Sequence, residues 1–398
     1  MTSIFKLIAL FALATCIPVA EAAEKDQATI GIDGGNAELG TDAENAVATS
    51  KPMFKLGGFG TLGVSHSSQG LGDYVPDGTF PKGPGLNSDW AAGNDSRIGV
   101  QMSANFTPKI SAVLQVVSEY EADSNYQPGV EWANIKYSFT PDAYIRVGRI
   151  ALPTFLYSDS REIGYSFPWI HPPVDLYRQL PMTNSDGLDA SCRFEIGEAM
   201  NSIRMIYGSS KTDRPISTST SKNLRGIFDK LEYGPATLRV GYQERESSYH
   251  SDLTGVTGAW IPDSDLSIGA SYDTGDWFAI SEWMQGKSTT KLNAMYFSAG
   301  RRINQYTPYL TYSRNSPASF LPGFPAPTAS EINRAKKSES TVSLGVRWDL
   351  MKNADVKLQL DQVHLSDNSN GYLANVPAGV ILYGSRFRVI SAVLDFVF

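Results

Sequence analysis

The last eleven residues, Arg388 to Phe398, constrain the fold more tightly than any other stretch. Positions 390, 392, 394, 396 and 398 are Ile, Ala, Leu, Phe and Phe, with Ser391, Val393, Asp395 and Val397 between them. An apolar residue at every second position predicts a strand. About ten residues are enough for a tilted strand to cross a bilayer. Chain ends usually fray, so a terminal Phe398 predicts a last strand that closes against another. A soluble edge strand ending in Phe would carry the same pattern.

Length and composition narrow the choice. The chain has 398 residues, with 35 Gly, 19 Tyr and 11% aromatic residues. After the leader no run of eighteen apolar residues exists, so no membrane helix is expected in the mature chain. Many Tyr and Gly without hydrophobic blocks suit a barrel that shows apolar side chains to lipid only at every second position. The formal net charge of −7 argues against a nucleic-acid partner.

Residues 1–22 read as a secretory signal: Lys6 gives the charged start, Leu7 to Val19 the apolar core, and Ala20-Glu21-Ala22 the small residues before cleavage. Residues 23–52 are polar and acidic and read as a flexible periplasmic segment. Residues 53–398 read as one barrel domain.

From Met53 onward strand-like stretches alternate with short turns on one side and longer polar segments on the other. Phe54, Leu56, Gly58, Gly60, Leu62 and Val64 form one stripe. Ile98, Val100, Met102, Ala104 and Phe106 form the next, with Arg97, Gln101 and Ser103 opposite. A soluble antiparallel sheet alternates in the same way, so strand count and loop asymmetry must decide. Turn chemistry recurs at Thr107-Pro108-Lys109, Thr140-Pro141-Asp142, Gly197-Glu198-Ala199, Gly234-Pro235-Ala236, Asp273 to Asp276, Arg302-Ile303-Asn304 and Lys352-Asn353-Ala354. These seven turns alternate with eight expected external loops, 67–93, 122–128, 151–187, 209–222, 246–263, 285–291, 315–340 and 366–380. Together they predict an all-β transmembrane antiparallel barrel of about sixteen strands. Residues 224–233 and 277–284 are ambiguous in phase. Tyr137, Phe139, Tyr207, Tyr233, Trp277, Tyr306 and Trp348 are expected at strand ends, as aromatic girdles.

The pattern resembles the general porins of Gram-negative bacteria over roughly 53–398. The residues that carry the resemblance are Gly57-Gly58-Phe59-Gly60-Thr61-Leu62-Gly63-Val64, Arg146-Val147-Gly148-Arg149, the long third loop, and Leu394-Asp395-Phe396-Val397-Phe398. It implies a sixteen-stranded barrel in the outer membrane, a homotrimer, and a water-filled pore narrowed by an inward-folded third loop. Lipid and lipopolysaccharide would surround it, and Phe396 and Phe398 would form the signal read by the barrel assembly machinery. Residues 23–52 depart from the pattern, in which the first strand begins soon after cleavage.

The third loop holds aromatic residues, five prolines and several charges. Long loops without regular structure are usually functional or disordered, and this composition favours a packed course. Folded inward, the loop is expected to present Asp159, Glu162, Asp175, Asp186, Arg161 and Arg178 at a constriction. Arg97, Arg146, Arg149, Arg193, Arg204, Arg239 and Arg347 are expected as a basic ladder on the wall, although each could equally hold strands together as an ion pair. Arg146 and Arg149 have opposite parity, so both face inward only if a bulge intervenes near Gly148. Fixed charges around a pore select ions, and the arginines tilt the expectation weakly toward anions. No enzyme signature, cofactor motif or metal spacing is present, and His66, His171, His250 and His364 are scattered. The sequence therefore predicts a passive channel for small hydrophilic solutes. A channel selective for organic anions and a structural or adhesive barrel without transport are the alternatives.

Overall fold

The computed structural model describes residues 53–398, apart from 121, 323–325 and 327. The expected leader and the segment 23–52 lie outside the described residues. Sixteen long strands follow one another: β1 (Phe54–Ser67), β2 (Arg97–Asn105), β3 (Ile110–Glu119), β4 (Pro128–Thr140), β5 (Ala143–Ala151), β6 (Asn184–Ile196), β7 (Ala199–Arg214) and β8 (Ser217–Tyr233), then β9 (Ala236–Ser251), β10 (Ile261–Asp273), β11 (Trp277–Lys287), β12 (Thr290–Arg301), β13 (Tyr306–Asn315), β14 (Glu339–Met351), β15 (Ala354–Leu365) and β16 (Arg386–Val397). Each pairs antiparallel with its neighbours, and β16 pairs with β1. The sheet is therefore a closed barrel, which removes every edge that would otherwise expose unpaired backbone groups.

The closing seam explains the two ends of the barrel domain. Gly60 lies opposite Phe396, and Gly58 and Phe398 exchange two backbone hydrogen bonds of 2.8 and 2.9 Å. A Cβ built on Gly58 would fall 2.3 Å from the Phe398 ring, and one on Gly60 2.4 Å from the Phe396 ring. The glycines of the first strand leave the space that the two terminal rings fill.

The outward stripe is apolar along the barrel, with Leu56, Leu62, Val100, Ile135, Val147, Leu238, Ile268, Phe297, Leu344, Leu358 and Ile390 all exposed. Tyr137, Phe139, Tyr233, Trp277, Tyr306 and Trp348 are exposed beside the short turns, as a girdle requires. Tyr207 is also exposed, but it sits inside β7 rather than at its end.

All seven short turns fall where the sequence places them. The loops on the other side differ in one respect. Residues 209–222, expected as a loop, belong to β7 and β8, which pair as far as Arg214 and Ser217. The stretch is rich in Ser and Thr, so neither face carries an apolar stripe, yet its backbone completes the ladder. The sixth loop likewise shrinks to residues 288 and 289.

Candidate functional site: the divided lumen

The third loop, 152–183, lies inside the barrel. It contains two 3-10 turns, Ser158–Ser160 and Gly164–Ser166, and a four-residue helix α1 (Val174–Tyr177). Its apolar side chains Leu152, Phe155, Phe167, Trp169, Leu176, Tyr177 and Leu180 form one buried cluster with Ile206, Leu224, Phe228, Phe278, Ile280, Met284, Tyr296 and Tyr309 of the wall. This side of the lumen is thus a hydrophobic core, not a wet surface. On this side the implied water-filled pore is replaced by packed side chains, which accounts for the ambiguous phase of 224–233 and 277–284. Their inward face is apolar because the loop covers it.

Polar anchors fix the loop within this core. Trp169 donates its indole N–H to Ser298 and Thr311 (2.9 and 3.1 Å). Glu282 accepts from the Leu156 backbone N–H, the Tyr177 hydroxyl and the Tyr296 hydroxyl at 2.7–2.8 Å. Ser267 donates to the Thr154 carbonyl (2.8 Å). Farther along, Lys357 donates to the Gly164 carbonyl (2.6 Å) and pairs with Asp395 (2.9 Å), while Arg347 donates to the Tyr165 carbonyl (2.7 Å) and pairs with Asp355 (3.1 Å). Thr61 donates to the same Asp395, so the seam strands β1 and β16 share one buried charge network with the loop. The Tyr165 hydroxyl reaches the Lys352 carbonyl (2.6 Å) at a short turn, and the loop therefore descends to the far end of the barrel.

The opposite wall, from β2 to β7, is charged. Arg97 pairs with Glu162 of the loop and lies 3.6 Å from Glu119. Arg146 and Arg204 both pair with the fully buried Asp189 (2.6 Å each), and Arg204 extends to Asp159 (3.3 Å). Arg161 pairs with Asp77 (2.9 Å). Two cavities open on this side. One, of about 500 Å³, lies at the loop end and is lined by Arg97, Arg161, Glu162 and residues of β7 and loops 1 and 2. The other, of about 220 Å³, lies at the turn end and is lined by Asp159, Ser160, Arg204 and Arg239. Consecutive residues of the loop line opposite cavities, so the segment Asp159–Glu162 is the partition between them.

The structure brings together some of the expected constriction and separates the rest. Asp159, Arg161 and Glu162 face the cavities. Asp175 is instead fully buried against Ser313 (2.8 Å), and Arg178 pairs with Glu339 (2.6 Å) inside the packed half. Asp186 points outward and binds Arg149 through two 2.8 Å bonds. No bulge turns Arg149 inward: the register from Lys136 opposite Arg146 to Ala133 opposite Arg149 runs unbroken, although Gly148 has a φ of +127°. Arg146, Arg193, Arg204, Arg239 and Arg347 do face the lumen with Arg97, but they are not a free basic ladder. Arg193 pairs with Asp142 (3.2 Å), the others are paired as above, and only Arg239 forms no ion pair among the described residues; it donates to the Phe155 carbonyl. Ion pairing is the cheaper state for charges taken from water. Glu282, Asp189, Lys357 and Asp395, which anchor the loop and the wall, were not singled out from the sequence. Charge at an inward position of an otherwise apolar strand is the signal that would find them.

Outside the strands, burial pushes the Asp175 carboxyl up to about 7, with Glu339 adding to the rise and Arg178 opposing it. Among the described residues no group of three His, Cys, Asp or Glu side chains could hold a metal ion.

No family model and no curated protein sequence matches the chain. Solved structures do. A loop L8 deletion mutant of OmpT, an outer membrane protein of Vibrio cholerae, superposes with a TM-score of 0.54 at 11% identity over 87% of this chain and 100% of that one. The fold is that of the outer-membrane porins. An anion-selective porin from Comamonas acidovorans gives 0.54 at 13% identity over 87% and 99% of the two chains. The outer membrane channel DcaP of Acinetobacter baumannii gives 0.53 at 11% over 87% and 97%. The porin-type barrel expected from the terminal stripe and the sixteen-strand count is thus found, with its long third loop inside.

Proposed function

We propose that the chain forms a water-filled channel in the outer membrane of a Gram-negative bacterium, through which small hydrophilic solutes and ions diffuse passively. The observation that carries this reading is the pair of cavities at opposite ends of the lumen, one lined by Asp159 and Ser160 of the third loop and the other by Arg161 and Glu162. Water and ions cross a barrel where its interior is polar, and here that is the side of β2 to β7. The leader supports export, and the apolar outer stripe with its aromatic girdle supports residence in lipid and lipopolysaccharide. A homotrimer is part of the proposal, in keeping with the trimer form of OmpT. So is recognition of Phe396 and Phe398 by the barrel assembly machinery, since both rings sit at the closing seam. We place the weak anion preference in the turn-end cavity, because Arg239, the one wall arginine of the expected ladder without an ion pair among the described residues, lines it. Planar-bilayer recordings of the folded protein under a salt gradient test the proposal: a steady ohmic current with a reversal potential on the anion side is expected, and cation selectivity would refute the preference.

A second reading, a structural or adhesive barrel without transport, is favoured by one observation. The third loop packs as a hydrophobic core against one side of the lumen, and the segment Asp159–Glu162 stands between the cavities. Folded protein that inserts into bilayers and carries no current would select this reading.

A further inference from the structure

We infer that the outward face of β13 to β16, at the loop end of the barrel, is a binding site for the phosphorylated headgroup of lipopolysaccharide. The inference rests on the outer-membrane reading and names the lipid that one face of the barrel holds.

The outward charges of the barrel are distributed unequally. On β5 to β9 they are matched: Arg149 faces Asp186, Lys222 faces Glu246 and Arg225 faces Glu244. On β11 to β16 no carboxylate stands at an outward position among the described residues. Glu282, Glu339, Asp349, Asp355, Asp361 and Asp395 all fall on the inward parity of their strands. The outward cations at the loop end of these strands therefore have no opposite charge on the same face. Arg314, Ser340, His364 and Arg386 lie directly opposite one another on four successive strands, and Arg388 ends the next outward row. Arg314, Arg386 and Arg388 are exposed and form no ion pair among the described residues; Arg388 donates to the Gln362 amide oxygen (3.2 Å). Lys287 and Lys291 stand opposite each other at the loop end of β11 and β12, again without an ion pair among the described residues.

Like charges directly opposite each other on a sheet destabilise it, and an anion seated between them offsets that cost. An arginine guanidinium binds phosphate oxygens through two parallel N–H bonds. Arg314 and Arg386 are three strand spacings apart, roughly 14 Å, a span that suits a headgroup carrying more than one phosphate. Two steps toward the turn end the same strands present Leu310, Leu344, Leu360 and Ile390, all exposed. Cations bordering an apolar surface are the pattern of an anionic-lipid site. The phosphates meet the arginines and the acyl chains meet the leucines; a free phosphate would use the first and not the second.

Fluorescently labelled bisphosphorylated lipid A is the probe. It is titrated onto folded protein in an uncharged detergent, with heat-modifiable migration on a gel confirming the fold of each variant. Arg386→Gln/Arg388→Gln is expected to raise the dissociation constant at least tenfold. Arg149→Gln/Arg225→Gln removes the same net charge from the other face and is expected to change it less than twofold. Lipid A stripped of its phosphates is expected to bind wild-type protein at least tenfold more weakly. Unchanged binding in Arg386→Gln/Arg388→Gln, equal weakening by the two double variants, or equal binding of the stripped lipid overturns the site. Displacement of bound lipid A by inorganic phosphate, below the ionic strength at which sodium chloride displaces it, would make the site one for free phosphate and overturn the lipid assignment. An oligomeric state altered in Arg386→Gln/Arg388→Gln alone, with lipid A binding unchanged, would give the face to a neighbouring copy and likewise overturn it. If the protein does not fractionate with the outer membrane, the residence reading fails by itself, and the titration still decides the site.

Discussion

The lumen wall from β8 to β13 and the wall from β2 to β7 share one backbone geometry and carry opposite chemistry. On the first, Phe228, Phe278, Ile280, Met284 and Tyr296 face inward and bury the third loop. On the second, Arg97, Glu119, Arg146, Asp189 and Arg204 face inward and meet either one another or the loop's charged segment. The difference teaches that the inward face of a barrel strand reports what fills the barrel beside it. Where protein fills it the strand reads like a soluble core strand, apolar on both faces; where water fills it the strand alternates cleanly.

The contrast breaks most readily at Trp169, which is almost completely buried and donates to Ser298 and Thr311. Trp169→Ala is expected to cost about 3–5 kcal/mol, the usual range for emptying a large aromatic site. Thermal unfolding in detergent measures it, and the loosened loop should raise single-channel conductance as well. Glu282→Ala comes next. It strips three donors of their acceptor, and each buried group left unmet costs about 1–3 kcal/mol; the loss should show as a lower unfolding temperature with ion selectivity unchanged.

Asp175 sharpens the comparison through pH. Its folded pKa, about 7, lies above the ordinary carboxylate value, so the fold favours the protonated form. Its contribution to stability is present below the unfolded pKa, near 4, and is lost as pH rises through about 7. Unfolding temperature should therefore climb between pH 8 and pH 5, and Asp175→Asn should flatten that climb and hold the acid-side stability at pH 8. The effect is on the order of a few kcal/mol at most. The smallest effect belongs to Arg149→Gln. Its pair with Asp186 lies on the outer surface and is partly exposed, and such pairs contribute about 0–1 kcal/mol. Stability should barely change, and selectivity should not change at all, since Arg149 does not face the lumen.

Much of the barrel was legible in the sequence. The seven turns, the sixteen strands and the terminal seam follow from period-two alternation and turn residues, which are local properties. The third loop's packed course was legible from its aromatic and proline content, and its inward course was what the porin resemblance implied. Less legible was how each charge would be spent. Asp175 and Arg178 look like channel residues in sequence, yet the helical turn at 174–177 directs them into the core beside Ser313 and Glu339. Asp186 and Arg149 are set outward by strand parity, which the sequence does contain; an inward Arg149 required a bulge near Gly148, which the unbroken register excludes. Partners such as Asp189 for Arg146 and Arg204 come from other strands, and pairing across strands cannot be read from a single one.

The central claim is that water and ions pass on the charged side of the lumen, beside Asp159–Glu162. It is tested most directly by single-channel current through folded Asp159→Cys protein before and after a bulky water-soluble thiol reagent, with wild-type protein as control. The account predicts a steady current that falls by more than half in the variant and stays unchanged in the control. A current untouched by modification at Asp159, or no current from either folded protein, would contradict it.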